Sequence, residues 1–188
     1  MTKKIFLLAF LTSALFAAFG QAPPSTRILS NLVKLDLGLQ GVGLTYEPRL
    51  SHKLTIDLSA GAGGGYDIAE SSLNYNLNIG RPAFYFSLTP KYYYNLNKRI
   101  LKGKNTLLNS GNYIGFRVKG VTPNDRRTDA TRNSILVNAH WGMQRALSAN
   151  WLFNAHIGAG YAQDIDYNFG TVYPALDFKF AYVLSGGR

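Results

Sequence analysis

Cysteine is absent from the chain. Disulfide bridges, thiolate metal ligation and a lipid anchor on an N-terminal cysteine are therefore excluded. Charge is also scarce: 16% of residues are charged, where a soluble domain carries about a quarter. Acidic residues are the rarer sign, 10 against 20 lysines and arginines, for a net charge of +10. That excess is scattered along the chain, so it makes no basic patch of the kind nucleic-acid binding requires. After the first twenty residues, no apolar run approaches the roughly 18 that mark a membrane helix. Aromatics, by contrast, are plentiful at 13%, with 12 Tyr and 11 Phe. A chain of 188 residues fits one domain.

The N-terminus reads as an export signal. Lys3 and Lys4 precede an almost wholly apolar stretch from Ile5 to Phe19, and Ala18-Phe19-Gly20 places small residues where a signal peptidase reads them. Residues 1–20 are expected to be removed before Gln21, leaving 21–188 as a single barrel domain. About 15 apolar residues are short for a membrane span of roughly 20.

The rest of the chain alternates with period two, the mark of strands. Leu35, Leu37 and Leu39 share one face, opposite Lys34 and Asp36. The phase flips at Gly41, after which Val42, Leu44 and Tyr46 are the apolar set. Leu54 to Ala62 then alternate with Thr55, Asp57 and Ser59, and Phe84, Phe86 and Leu88 with Tyr85, Ser87 and Thr89. Ile114, Phe116 and Val118 oppose Arg117 and Lys119. Ile135, Val137 and Trp141 oppose Asn138 and His140. Phe153 and Ile157 oppose Asn154 and His156, and Leu176, Phe178 and Phe180 oppose Asp177 and Lys179.

Two barrels share such a pattern. A soluble, lipocalin-like periplasmic binding barrel points the apolar face inward; a membrane barrel points it at lipid around a polar interior. Small residues crowd the polar face, as a narrow lumen needs. Tyr46, Tyr92, Tyr94, Trp151 and Tyr182 fall toward one rim, like an interfacial aromatic girdle. The expectation is an all-β, eight-stranded antiparallel up-and-down transmembrane barrel in the cell outer membrane. An even strand number follows from the short turns at 49–52 and 147–149, which put both chain ends on the periplasmic side. Eight strands require two in residues 33–48, split at Gly41; one bulged strand there is the alternative. Pro90 falls inside a strand, so a local bulge is expected. Residues 95–110 make a long basic inward loop with Lys98, Arg99, Lys102 and Lys104. The segments 65–82, 121–133 and 163–171 are expected to face outward.

Three stretches resemble known proteins: Asn31-Leu-Val-Lys-Leu-Asp-Leu, Leu44-Thr-Tyr-Glu-Pro-Arg-Leu-Ser, and Tyr92-Tyr-Tyr-Asn-Leu-Asn-Lys-Arg followed by Lys102-Gly-Lys-Asn-Thr. They are similar to small eight-stranded, OmpA/OmpX-like outer-membrane barrels of Bacteroidota, mostly of unassigned function. The resemblance implies a fold and a location in a Gram-negative cell envelope, and no chemistry. The C-terminus departs from the usual terminal aromatic, since Leu184 is followed by Ser-Gly-Gly-Arg.

No catalytic, cofactor or metal site is expected, and no cofactor. Lys34, Asp36, Asp57, Lys91, Arg117, Lys119, His140, His156, Asp177 and Lys179, with Glu47, are expected to form a mutually neutralising network inside a lumen too narrow for an open pore. A three-residue turn at 147–149 would set His140 and His156 directly opposite each other. The expected function is non-enzymatic: a structural barrel or an accessory subunit of an envelope complex. Lipid-A or other lipid modification is the enzymatic alternative. Outer-membrane lipid or lipopolysaccharide is the expected surrounding, with loop 95–110 offered to lipid phosphates or an acidic protein partner, and no nucleic acid.

Overall fold

A computed structural model describes residues 29–69, 72–122 and 132–187. The expected export segment 1–20 and residues 123–131 of the expected outward segment 121–133 lie outside the described residues. Strands run β1 (Leu32–Gly38), β2 (Gly41–Glu47), β3 (Leu54–Gly63), β4 (Gly65–Ala69), β5 (Ser72–Asn76), β6 (Ala83–Tyr92), β7 (Gly111–Thr122), β8 (Ser134–Ala146), β9 (Trp151–Asp164) and β10 (Gly170–Gly186). A short helix α1 (Leu96–Leu101) and a 3-10 turn (Leu107–Asn109) separate β6 from β7. Eight strands close in the order β1-β10-β9-β8-β7-β6-β3-β2, and β4 and β5 form a separate hairpin. Every pairing in the wall is antiparallel.

The wall is apolar outside and polar inside, which excludes the soluble reading. Phe86 is 59% exposed on the outer surface, while Asp57 is 2% exposed in the lumen. Tyr46, Tyr92, Tyr94, Trp151 and Tyr182 all lie on the outer face at the end where β1 begins and β10 finishes. There Trp151 packs edge-on against Tyr182 with centroids 5.2 Å apart, and the Trp141 indole N–H donates to the Tyr94 hydroxyl at 2.7 Å. This is an interfacial girdle in place. We call this end the near end and the opposite one the far end.

The phase flip at Gly41 has a simple cause. β1 and β2 pair as Leu35↔Leu44 and Leu37↔Val42, joined only by Leu39 and Gln40. In a hairpin with a two-residue loop, an odd residue faces an even one, so the outward set changes parity at the turn. Gly41 accepts a φ of +109°, where an added Cβ would run into the Ala62 carbonyl.

Three local expectations are corrected. Pro90 produces no bulge: it pairs in register with Ile56 on β3. The ladder to β7 lapses at Thr89 and Pro90 and resumes unshifted at Lys91↔Gly115, so the missing N–H falls in a gap. The register shift lies instead between Val33 and Lys34, against β10. The turn after β8 sits one residue later than 147–149, because the Leu147 N–H donates to the Trp151 carbonyl at 2.8 Å. Finally, residues 65–82 are not plain loop. β4 continues β3 beyond Gly64, and Tyr66 and Ile68 bury against Ala83, Val121, Leu136 and Ala162 at the far mouth.

Candidate functional site: a plugged, ion-paired lumen with a far-end cavity

The lumen is filled in layers. At the near end, the long inward segment turns into the barrel. Leu108 buries against Leu32, Leu152, Ala181 and Val183. Beside it Leu29, Tyr93, Leu96 and Tyr113 form a second apolar cluster. Backbone needs are met by side chains: the Asn109 amide bridges both the N–H and the C=O of Ser30, at 2.8 and 2.9 Å, and Gln144 donates to the Leu108 carbonyl at 2.9 Å. The basic residues of this segment divide. Lys98, Lys102 and Lys104 are exposed, whereas Arg99 is half-buried and donates to the Asn105 carbonyl at 2.7 Å. Burial lowers the Arg99 pKa.

Above the plug lies the ion-paired layer. The Glu47 carboxylate, fully buried, accepts from Lys34 at 2.5 Å, Thr55 at 3.0 Å, Tyr93 at 3.1 Å and Gln144 at 3.3 Å, with Lys91 at 3.9 Å. Asp57 is held by Lys91 at 2.5 Å, Lys34 at 3.3 Å and Lys179 at 3.9 Å. Asp36 accepts from Thr45 at 2.6 Å and pairs with Lys179. Farther along, Arg117 pairs with Asp177 at 3.0 Å and donates from Nε to Thr89 at 3.3 Å. Each charged side chain reaches this space because it stands at an inward position of its strand, between outward apolar neighbours.

His140 and His156 touch, but not as direct cross-strand partners. With the turn displaced by one residue, His140 pairs with Gly158 and His156 with Gly142. The rings meet on the diagonal, 4.1 Å between centroids and 30° from parallel. The glycines make room: a Cβ at Gly115 or Gly158 would collide with His140. His140 Nδ1 contacts the Asn138 amide oxygen at 2.7 Å, and the Tyr113 ring meets His140 edge-on. Among the described residues, no three His, Cys, Asp or Glu side chains are placed to hold a metal ion.

Lys119 stands apart from the other cations. It is 2% exposed and, among the described residues, has no carboxylate partner. Its ammonium group donates to Gln40 and to the Tyr66 hydroxyl, and lies over the Tyr66 and Tyr85 rings at 5.0 and 4.8 Å. Next to it is a cavity of about 260 Å³ at the far end, also bordered by Arg117, Asn138, His156 and Tyr173. Tyr66, Tyr75 and Tyr173 of this mouth escaped the sequence reading, as did Glu47's role as the common acceptor. Tyr66 and Tyr75 do alternate with polar neighbours, which was the available signal for the β4–β5 hairpin.

The arrangement defines a transmembrane barrel whose bore is closed by side chains and an inserted turn. No family model matches the chain, and no curated protein matches it. Among solved structures, it is similar to the solid-state NMR structure of outer membrane protein AlkL in DMPC lipid bilayers, at 10% identity and a TM-score of 0.40, over 89% of this chain and 92% of that one.

Proposed function

We propose that the chain is a non-enzymatic outer-membrane barrel, closed to free solute flow, that serves as a structural element or as an accessory subunit of an envelope complex. The observation that carries this reading is the near-end seal of Leu108 and its apolar neighbours, backed by the paired charges above it. Eight strands leave a bore that side chains can fill. The histidine rings face each other, Asn138 and the Tyr113 ring. The exposed Lys98, Lys102 and Lys104 supply the surface for an acidic partner or lipid phosphates.

In planar bilayers, the wild-type barrel should show no steady large conductance. Replacing residues 104–109 with a short Gly-Ser linker removes the inserted turn and should produce measurable single-channel steps. Stable porin-sized steps from the wild type would instead make transport the function. Location has its own test. The mature protein should sediment with the outer membrane and migrate faster on gels before boiling than after. Its recovery in a detergent-free periplasmic extract would overturn the assignment.

A further inference from the structure

Among the described residues, the barrel wall is incomplete at the far end. β1 pairs with β10 only from Lys179 toward the near end, and the last contact is the Leu39 N–H donating to the Phe178 carbonyl at 3.2 Å. β10 nevertheless continues through Gly170, paired on its other side with β9. Among the described residues, the segment 170–177 therefore has one bare edge. Backbone groups of alternate residues point to the same edge of a strand, so Leu176 and Pro174 face the gap as Phe178 faces Leu39. Pro174 has no N–H to leave unpaired there, which suits an exposed edge.

The bare edge lies within the membrane. Measured along a strand tilted by about 40°, Leu176 and Pro174 rise roughly 15 and 20 Å above the Tyr182 girdle, inside an apolar band of about 25 Å. The far-end cavity reaches this gap: Leu39 borders it on one side and Pro174, Ala175 and Leu176 on the other. The β4–β5 hairpin roofs the gap, and the Tyr75 hydroxyl donates to the Leu39 carbonyl at 2.7 Å.

Charge and shape specify what fits. Lys34, Lys91, Arg117, Lys119 and Lys179 are matched by Asp36, Glu47, Asp57 and Asp177, one carboxylate too few. The surplus cation is Lys119, beside the cavity. The seam side is apolar, formed by Leu39, Leu73 and Leu176, while Leu136 lines the cavity beside Lys119, its partner across the β7–β8 ladder. At about 260 Å³, the space is below the roughly 300 Å³ at which pockets for drug-sized molecules begin, so it takes one chain and not a two-chain lipid. We propose that this cavity binds a single-chain amphipathic anion, its head on Lys119 and its chain in the seam. The inference requires only that the barrel spans a membrane; it is independent of the accessory role.

The test uses the barrel refolded in phosphatidylcholine nanodiscs, with 11-(dansylamino)undecanoate as the probe, its carboxylate end in the cavity and its dansyl end left in the seam. Saturable, blue-shifted fluorescence at one site per barrel, absent from empty discs, is expected. Dodecanoate should displace the probe, and 1-dodecanol should do so at least ten times less well. Lys119→Met should weaken probe binding about tenfold or more, the loss of one charge-assisted contact, while Lys119→Arg keeps it. Leu136→Trp should abolish binding by filling the cavity. Heat-dependent gel mobility reports that each variant is folded. If Lys119→Met does not fold, the acid-over-alcohol preference and Leu136→Trp decide. Equal signals from loaded and empty discs, equal displacement by acid and alcohol, or undiminished binding in a folded Lys119→Met barrel would each overturn the proposal. Failure here would leave the conductance result untouched.

Discussion

Replacing Glu47 with leucine should cost the barrel about 3–5 kcal/mol, the penalty for removing one partner of a buried charge cluster. Glu47 is the shared acceptor for Lys34, Thr55, Tyr93 and Gln144. Without it, Lys34 keeps only the 3.3 Å contact with Asp57, which Lys91 and Lys179 also claim. The Tyr93 hydroxyl, in a fully buried residue, loses its acceptor. The measurement is the urea midpoint for unfolding from lipid vesicles. Lys102→Gln supplies the contrast. Lys102 is exposed just after α1, and surface substitutions of this kind usually stay within about 0.5 kcal/mol. If Glu47→Leu were no worse than Lys102→Gln, the lumen network would not be holding the barrel together.

The second large effect is on the other face. Phe116→Arg should destabilise the inserted barrel by about 2–4 kcal/mol, and Tyr182→Arg at the rim by only about 0–1 kcal/mol. Phe116 is 49% exposed on the outer wall between Gly115 and Arg117, both turned inward. Phe86 and Phe178 stand the same way and should behave alike. Val137 and Phe153 are only half-exposed, and Phe153 packs on Phe180 with centroids 5.3 Å apart, so arginine there also disrupts side-chain packing. The same vesicle assay measures the series. A neutral Phe116→Arg beside a harmless or stabilising Ser87→Leu would mean that the inner and outer faces have been exchanged.

The facing of the strands was legible in the sequence because period two is fixed by backbone geometry and survives any detail of packing. Lys34, Asp36, Asp57, Lys91 and Lys179 stand at inward positions within one set of ion pairs, and Arg117 and Asp177 form a separate pair. What sequence could not supply was register. A single residue's displacement at the 147–150 turn moved His140 from opposite His156 to its diagonal. Pro90 signalled a bulge, yet a lapse of two pairs in one ladder accommodated it. The bare edge of β10 is invisible for a related reason. It follows from the difference in length between β1 and β10, and no residue within either strand announces which neighbour will run out first.

That difference in length also bears on the order of assembly. Around the wall, neighbouring strands follow one another along the chain, with the β4–β5 hairpin interposed between β3 and β6 and the α1 segment between β6 and β7. These ladders can zip up as each hairpin forms, at small loop-closure cost. The β1–β10 ladder cannot, because it joins Leu32 to Gly186 and must wait for everything between. It contains seven residue pairs and a register break, against thirteen unbroken pairs between β9 and β10. The last joint to form is thus also among the shortest. Contacts so distant in sequence are slow to establish, so closure of this ladder should set the pace of insertion. On unfolding, the sheet should part first there, peeling the β1–β2 hairpin away before the long C-terminal strands separate.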